Sequence, residues 1–355
     1  FPYNTTPTIT KLHFLILTLL LLLSTVAPPS HAAEQPPNNL PQECQNITHG
    51  PCHNKTRSLK LKLIAIATIL VTSMMGALLP LLSRRVPALQ PDTKPFVLIK
   101  AFASGVILAT GYMHVLPDSF DCLTSKCLPE KPWSKFPFTT FIAMFSAVFT
   151  LMVDSYAMSW YKKCKTPDKN QDQELKTLGH SHGHGSCGND NPASQLRRYR
   201  VVAQVLELGI VVHSVVIRLS MGASDNVCTI RPLVAALCFH QFFEGIGLGG
   251  CILQADYEKK MKAIMVFFFS VTTPFGIALG ICLSNVYREN SPTALVVVGI
   301  LNAVSAGLLN YMALVDLLAS DFMAEKLQND MKLQTISYVA VVLGAGGMSV
   351  MAIWA

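Results

Sequence analysis

Charge is scarce in this chain. Only 14% of its 355 residues are Asp, Glu, Lys or Arg, against about 25% in soluble globular proteins, and 51% are hydrophobic. The apolar residues are gathered into blocks of 18 or more, a length that a bilayer demands and a soluble core helix does not. A soluble enzyme is thereby excluded. Two motifs are also missing. No GxxxxGK[ST] phosphate loop occurs, which argues against ATP-driven pumping. No HExxH occurs, which counts against an intramembrane metal-dependent hydrolase, a site that needs an open zinc position and a general base. The net charge of +7 could suggest nucleic acid, yet Lys and Arg sit in short clusters between the apolar blocks. That is where positive-inside topology puts them, so the charge is read as topology and no nucleic-acid partner is expected.

The chain begins at Phe1, and Lys11 precedes a 15-residue apolar run, 12–26, followed by Pro28, Pro29, Ser30, Ala32 and Ala33. The run is short for a span and its flank is rich in small residues, so 1–33 is expected to be a secretory signal. Residues 34–58 are polar and Pro-rich and hold the sequons Asn46-Ile47-Thr48 and Asn54-Lys55-Thr56. This segment is expected outside the cytoplasm, with Asn46 and Asn54 as glycan acceptors. Eight apolar segments follow, at 59–82, 96–115, 138–160, 201–223, 232–253, 263–286, 293–317 and 336–355. The expected fold is an all-α integral membrane protein, an eight-transmembrane-helix bundle. Its spans 1–3 fall in 59–160, an inner loop in 161–200 and spans 4–8 in 201–355. With the N-terminus outside, the inner connections carry 17 Lys/Arg and the outer ones nine, the bias that topology requires. Cys44, Cys52, Cys122, Cys127 and Cys228 fall on the outer side, where disulfides persist. The local pairings Cys44 with Cys52 and Cys122 with Cys127 are expected, leaving Cys228 over.

The inner loop reads Gly179-His180-Ser181-His182-Gly183-His184-Gly185 at its centre. A His-rich polar tract cannot fold alone and offers imidazoles to divalent metals. His180, His182 and His184 are therefore expected to act as a weak metal buffer or sensor; a plain solvated linker is the competing reading.

Ionisable residues inside membrane helices are costly, and each is a functional candidate. Here they are His114 in the second span, Asp154 in the third, Glu207, His213 and Arg218 in the fourth, His240 and Glu244 in the fifth, and Asp316 in the seventh. Counting residues from the helix ends puts His213, His240 and Glu244 together at the bilayer midplane. His240 and Glu244 are four apart, on one helical face about 6 Å from each other. A mixed imidazole and carboxylate set suits Zn²⁺, Fe²⁺ and Mn²⁺; an interhelical His–Glu lock without metal is the competing reading. His114, Asp118 and Asp225 fall towards the outer ends as an acidic entrance, with Asp154, Glu207 and Asp316 towards the inner ends as an exit. Gly245, Gly247, Gly249 and Gly250 are expected to let helices approach closely around a shared site.

These residues resemble a known family. His213-Ser214-Val215-Val216-Ile217 with Leu219-Ser220-Met221-Gly222-Ala223-Ser224, and Phe239-His240-Gln241-Phe242-Phe243-Glu244-Gly245-Ile246-Gly247-Leu248-Gly249, resemble the fourth- and fifth-span signatures of the ZIP family, the zinc- and iron-regulated transporter-like proteins, in particular plant members. Gly105-Val106-Ile107-Leu108-Ala109-Thr110-Gly111 with His114-Val115-Leu116-Pro117-Asp118 is similar to its second span. The signal, the eight spans and the His-rich loop also match. The resemblance implies movement of divalent cations into the cytoplasm, Zn²⁺ first, then Fe²⁺ or Mn²⁺, with no cofactor. It implies His213, His240 and Glu244 as metal ligands, and Ser214 and Gln241 lining the site. A plasma membrane location is expected, an organelle membrane being the alternative, with the bilayer and a second copy of the chain as partners. One departure stands out: the family pattern has Gly after Ile217, and this chain has Arg218. Five residues along a helix is about 140° round and about 7.5 Å up from His213, so Arg218 need not point at the metal. It is expected to snorkel outward, to pair with Asp225 or Asp118, or to project into the cation path. A transport-inactive, metal-sensing homologue is the alternative that Arg218 raises.

Overall fold

The computed structural model describes residues 52–82, 93–163, 192–284 and 291–353. The segment 1–33, Asn46, and the loop residues His180, His182 and His184 lie outside them. Eight helices are long and apolar enough to cross a membrane. They are α1 (Lys55–Leu82), α2 (Lys94–Leu123), α3 (Phe138–Lys163), α4 (Pro192–Ala223), α5 (Val227–Gln254), α6 (Lys259–Leu283), α7 (Pro292–Phe322) and α8 (Met331–Ala352). Among the described residues the sole β-type pairing is an isolated bridge, His53 with Asn226. The eight-helix bundle expected from the apolar blocks is the one observed, since in lipid only a helix satisfies its own backbone.

Local chemistry fixes several starts. Asn54 Oδ1 accepts from Arg57 N at 2.9 Å ahead of α1, Asn226 caps α5 through Cys228 N and Thr229 N, Ser291 caps α7 through Ala294 N, and Asp330 caps α8 through Leu333 N. Each side-chain oxygen takes a backbone N–H that the helix cannot satisfy. Two helices contain a wider π-helical stretch, Gly111–Val115 in α2 and Met312–Ala319 in α7. Such turns insert residues into the helical register and cluster at functional sites.

The helices pack as two groups of four. In one, α1 lies on α5 and α6, and α4 on α6; in the other, α2 lies on α8, and α3 on α7. The groups meet where α2 crosses α5 and α7 crosses α4. Glycine carries the closest approaches. A Cβ on Gly245 would sit 2.8 Å from the Ala77 backbone N, and one on Gly249 would sit 2.5 Å from the Ala77 carbonyl. Of the glycines after Glu244, Gly245 and Gly249 thus face α1, and Gly247 and Gly250 face Ile107 and Phe96 of α2, where a shared site between α4 and α5 had suggested α4; against α1 close packing puts backbone on backbone, with Gly76 against Phe242. At the inner end, Lys100 Nζ of α2 donates to Asp321 Oδ1 of α7 at 2.8 Å and to Gln254 Oε1 of α5 at 3.1 Å, tying the two groups. The outward faces of α3 and α8 are apolar and exposed, with Phe141, Phe145, Val148 and Met152 on α3 and Val339, Val342 and Leu343 on α8.

The expected disulfides are corrected. Cys52 bonds Cys228 across 176 residues, Cys122 is a free thiol, and Cys127 is disulfide-bonded elsewhere. Proximity in sequence misled because the starts of α1 and α5 lie side by side: Val227 N donates to Cys52 O at 2.8 Å. Around this staple, Ser58 Oγ donates to Asp225 Oδ1 at 3.1 Å and Lys62 Nζ reaches the same oxygen at 3.5 Å. Asp225 is therefore tied to α1 at the outer end of the bundle. Cys228→Ser is expected to lower stability by about 2–5 kcal/mol, because a long loop is no longer closed in the unfolded chain. A parent-like unfolding midpoint of the detergent-solubilised protein would contradict this.

Candidate metal site

His213 lies on α4, and His240 and Glu244 on α5. One helical turn separates the last two, so both project from the same face, and α4 brings the third beside them. The His213 and His240 ring centroids are 6.0 Å apart. One ligand atom from each of His213, His240 and Glu244 lies within 4.8 Å of the others, and all three residues are fully buried. The convergence read from the sequence is what the structure contains.

The hydrogen bonding is as informative as the distance. Both ring nitrogens of His213, Nδ1 of His240, and both carboxylate oxygens of Glu244 are buried without a hydrogen-bond partner. Buried polar atoms are nearly always satisfied, and leaving one unmade costs about 1–3 kcal/mol. An interhelical lock would show His and Glu bonded to each other; here they converge and make no such bond. Two imidazoles and a carboxylate converging in this way could hold a borderline-soft dication.

The other expected site residues sort as follows. Ser214 and Gln241 are buried next to the ligands in sequence, and Ser214 Oγ and Gln241 Nε2 have no partner. His114 is closer than its position at the outer end of a span suggested: its ring centroid is 6.1 Å from that of His240. It lies on the π-helical turn Gly111–Val115, and α2 runs on past it to Leu123, so the end of the apolar run at Val115 is not the end of the helix. Its Nδ1 is 3.9 Å from Asp118 Oδ2, so the pair runs from the site outward. Asp154 instead accepts from Tyr311 Oη at 3.4 Å, a contact between α3 and α7. Glu207 is buried on α4, about 9 Å along the helix from His213, and Asp316 is buried in the π-helical stretch of α7. Neither joins the three-ligand cluster.

Arg218 overturns its geometric expectation. It is fully buried, and its Nη2 donates to His240 Nε2 at 2.7 Å and to Gln241 Oε1 at 3.2 Å. Angles counted at Cα missed this because side chains on a helix lean towards its N-terminus, and an Arg is long enough to come back down to the level of His213. Gly276 of α6 makes room, as a Cβ there would sit 3.1 Å from the Arg218 Cβ. Of the three fates open to this residue, projection into the site is the one adopted. Asp225 is held by Lys62 and Ser58.

Fold and site together define an eight-span helical membrane protein with a buried His-His-Glu cluster between two neighbouring spans. The ZIP Zinc transporter family matches residues 59–352. The chain is 61% identical over 330 residues to Fe(2+) transport protein 1 of Oryza sativa subsp. japonica, covering 88% of each. It is 56% identical over 333 residues to probable zinc transporter 10 of Arabidopsis thaliana, covering 88% of this chain and 92% of the relative. With Fe(2+) transport protein 1 of Arabidopsis thaliana the figures are 55% over 340 residues, 92% and 94%. The chain belongs to the ZIP family: it is a multi-pass membrane transporter of divalent metal ions and not an enzyme.

Proposed function

We propose that the transported ion is Zn²⁺ or Fe²⁺, with Mn²⁺ as a further substrate, and that it moves into the cytoplasm through a single site formed by His213, His240 and Glu244. The observation that carries this reading is the set of three ligand groups within 4.8 Å, fully buried, with unpartnered nitrogens and oxygens. The names of the relatives include both iron and zinc, and imidazole with carboxylate suits either ion. The packing supports alternating access. The three ligands ride on the group α1, α4, α5 and α6, and His114 belongs to the other group, so movement of one group against the other changes which end of the bundle the site meets. His114 and Asp118 line the way in, Ser214 and Gln241 the site, and Glu207 and Asp154 the inner side.

The test is uptake of radiolabelled zinc, iron and manganese into cells expressing the chain, with the empty vector as reference. Saturable uptake of at least one of the three is expected. Binding without uptake would favour a metal-sensing homologue.

The remaining roles rest on the sequence. A signal at 1–33 and delivery to the plasma membrane go with the outside position of Asn46 and Asn54 as glycan acceptors; Asn54 is exposed at the start of α1. The apolar faces of α3 and α8 meet lipid and, in a homodimer, a second copy. His180, His182 and His184 form an inner metal buffer. Deletion of residues 179–185 is expected to leave initial zinc uptake within about twofold of the parent, since 59–160 and 201–355 supply the whole bundle, and to alter the response of surface abundance to metal. Abolished uptake in protein delivered normally to the surface would make the loop part of the pathway.

A further inference from the structure

Arg218 and His240 cannot both keep their present bond and serve a metal. A guanidinium has donors only and no acceptor, so the 2.7 Å contact from Arg218 Nη2 to His240 Nε2 fixes Nε2 as the acceptor of the ring. In a neutral imidazole the other nitrogen, Nδ1, then carries the proton, and that Nδ1 has no partner. A metal at Nε2 needs the lone pair that Arg218 is using. A metal at Nδ1 needs the proton moved to Nε2, where it would face a second donor. Either way the guanidinium has to leave. Its hold is also narrow. Of the three guanidinium nitrogens only Nη2 has partners, and Nε and Nη1 are buried with none. The arrangement is a cation seated on His240 by one atom, within the cluster of His213, His240 and Glu244.

We propose that Arg218 is a tethered cation which occupies the ligand position of His240 in the empty transporter, so that metal binding is an exchange: the guanidinium swings off His240 and Gln241 as the dication arrives. The proposal rests on the assignment of the site to His213, His240 and Glu244. Its cost is independent of which dication replaces the guanidinium, since each must displace the same two hydrogen bonds. Arg218 therefore lowers affinity for every substrate by a common factor and does not reorder them. Ions that bind imidazole weakly, Mn²⁺ before Fe²⁺ and Zn²⁺, fall out of the working range first.

The experiment is metal titration of the purified full chain in detergent micelles, by competition with a chromophoric chelator, for the parent, Arg218→Met and Arg218→Gly. Methionine keeps the length of the side chain without donors; glycine removes it. Zinc and manganese are expected to bind at least tenfold more tightly to both variants, by the same factor for the two ions within about threefold. Affinities within twofold of the parent for both variants, in protein with a parent-like elution profile, would overturn the proposal. A gain confined to one ion would overturn the common-factor part. Glu244→Ala in the parent separates the two layers: if it leaves zinc affinity unchanged, the site assignment fails, whatever Arg218 does. A second reading needs no folded Arg218 variant. Nitrogen-15 spectra of ring-labelled histidine in the metal-free parent are expected to show His240, assigned by its loss in His240→Gln, protonated on Nδ1. Protonation on Nε2 would overturn the proposal.

Discussion

Glu244→Ala is expected to lower the initial rate of zinc uptake at least about 100-fold, with surface abundance within about twofold of the parent. Both carboxylate oxygens of Glu244 are buried and bonded to nothing, so deleting them removes no hydrogen bond of the folded protein and relieves a desolvated group. What is deleted is one of the three proposed ligands. Loss of an outer-shell partner alone weakens metal sites about 10–100-fold, so loss of a ligand exceeds that range. His213→Ala makes the same test from α4, because both of its ring nitrogens are also unpartnered. His240→Ala is a less clean variant: it takes from Arg218 its 2.7 Å acceptor and leaves a buried guanidinium nitrogen with Gln241 alone, so some loss of folded protein accompanies the loss of transport. Parent-rate uptake by Glu244→Ala and His213→Ala at normal abundance would remove the proposed site. Uptake restored in neither Glu244→Asp nor Glu244→Gln, with binding kept in both, would place the residue in the movement and not in the chelate.

The sequence made the architecture legible because lipid allows few solutions. A chain with apolar blocks of this length must cross as helices, and blocks separated by charged connections count the crossings directly. The convergence of His213, His240 and Glu244 was legible for a similar reason: buried ionisable groups are so few that depth and the four-residue interval between His240 and Glu244 suffice to bring them together. Four things were not legible, each for its own physical reason. Cys52 pairs with Cys228 because α1 packs on α5, and tertiary adjacency leaves no local mark at either cysteine. His114 lies near His240 because α2 continues to Leu123, through the polar residues Asp118, Ser119 and Asp121 that end the apolar run in the sequence. Arg218 reaches His240 because a long side chain travels several ångströms back along its helix, whereas angles between Cα positions describe only where a side chain sets out. The glycines following Glu244 were seen as packing residues, but not the helix they pack on.

Gly249→Ala is expected to lower the unfolding midpoint of the detergent-solubilised protein by about 5–10 °C. A methyl group at this position would lie 2.5 Å from the Ala77 carbonyl oxygen and 3.1 Å from Pro80 Cγ, inside van der Waals contact with backbone and a rigid ring. Neither neighbour can rotate out of the way, so α1 and α5 must separate, and their separation strips contacts all along the pair that holds the ligand-bearing helix in place. Overpacking of this kind costs about 1–3 kcal/mol, and each kcal/mol moves the midpoint of a chain of this order of size by about 2–4 °C. Gly346→Ala is the matched control on α8. Nothing lies within 4 Å of a Cβ built there, and in an open helical position alanine is favoured over glycine by about 1 kcal/mol, so the midpoint is expected to hold or rise slightly. Equal midpoints for the two variants would mean that the α1–α5 interface yields where the structure makes it tight. The expected opposition of sign would show that Gly249 sets the distance between α5, which carries His240 and Glu244, and α1, which supports it.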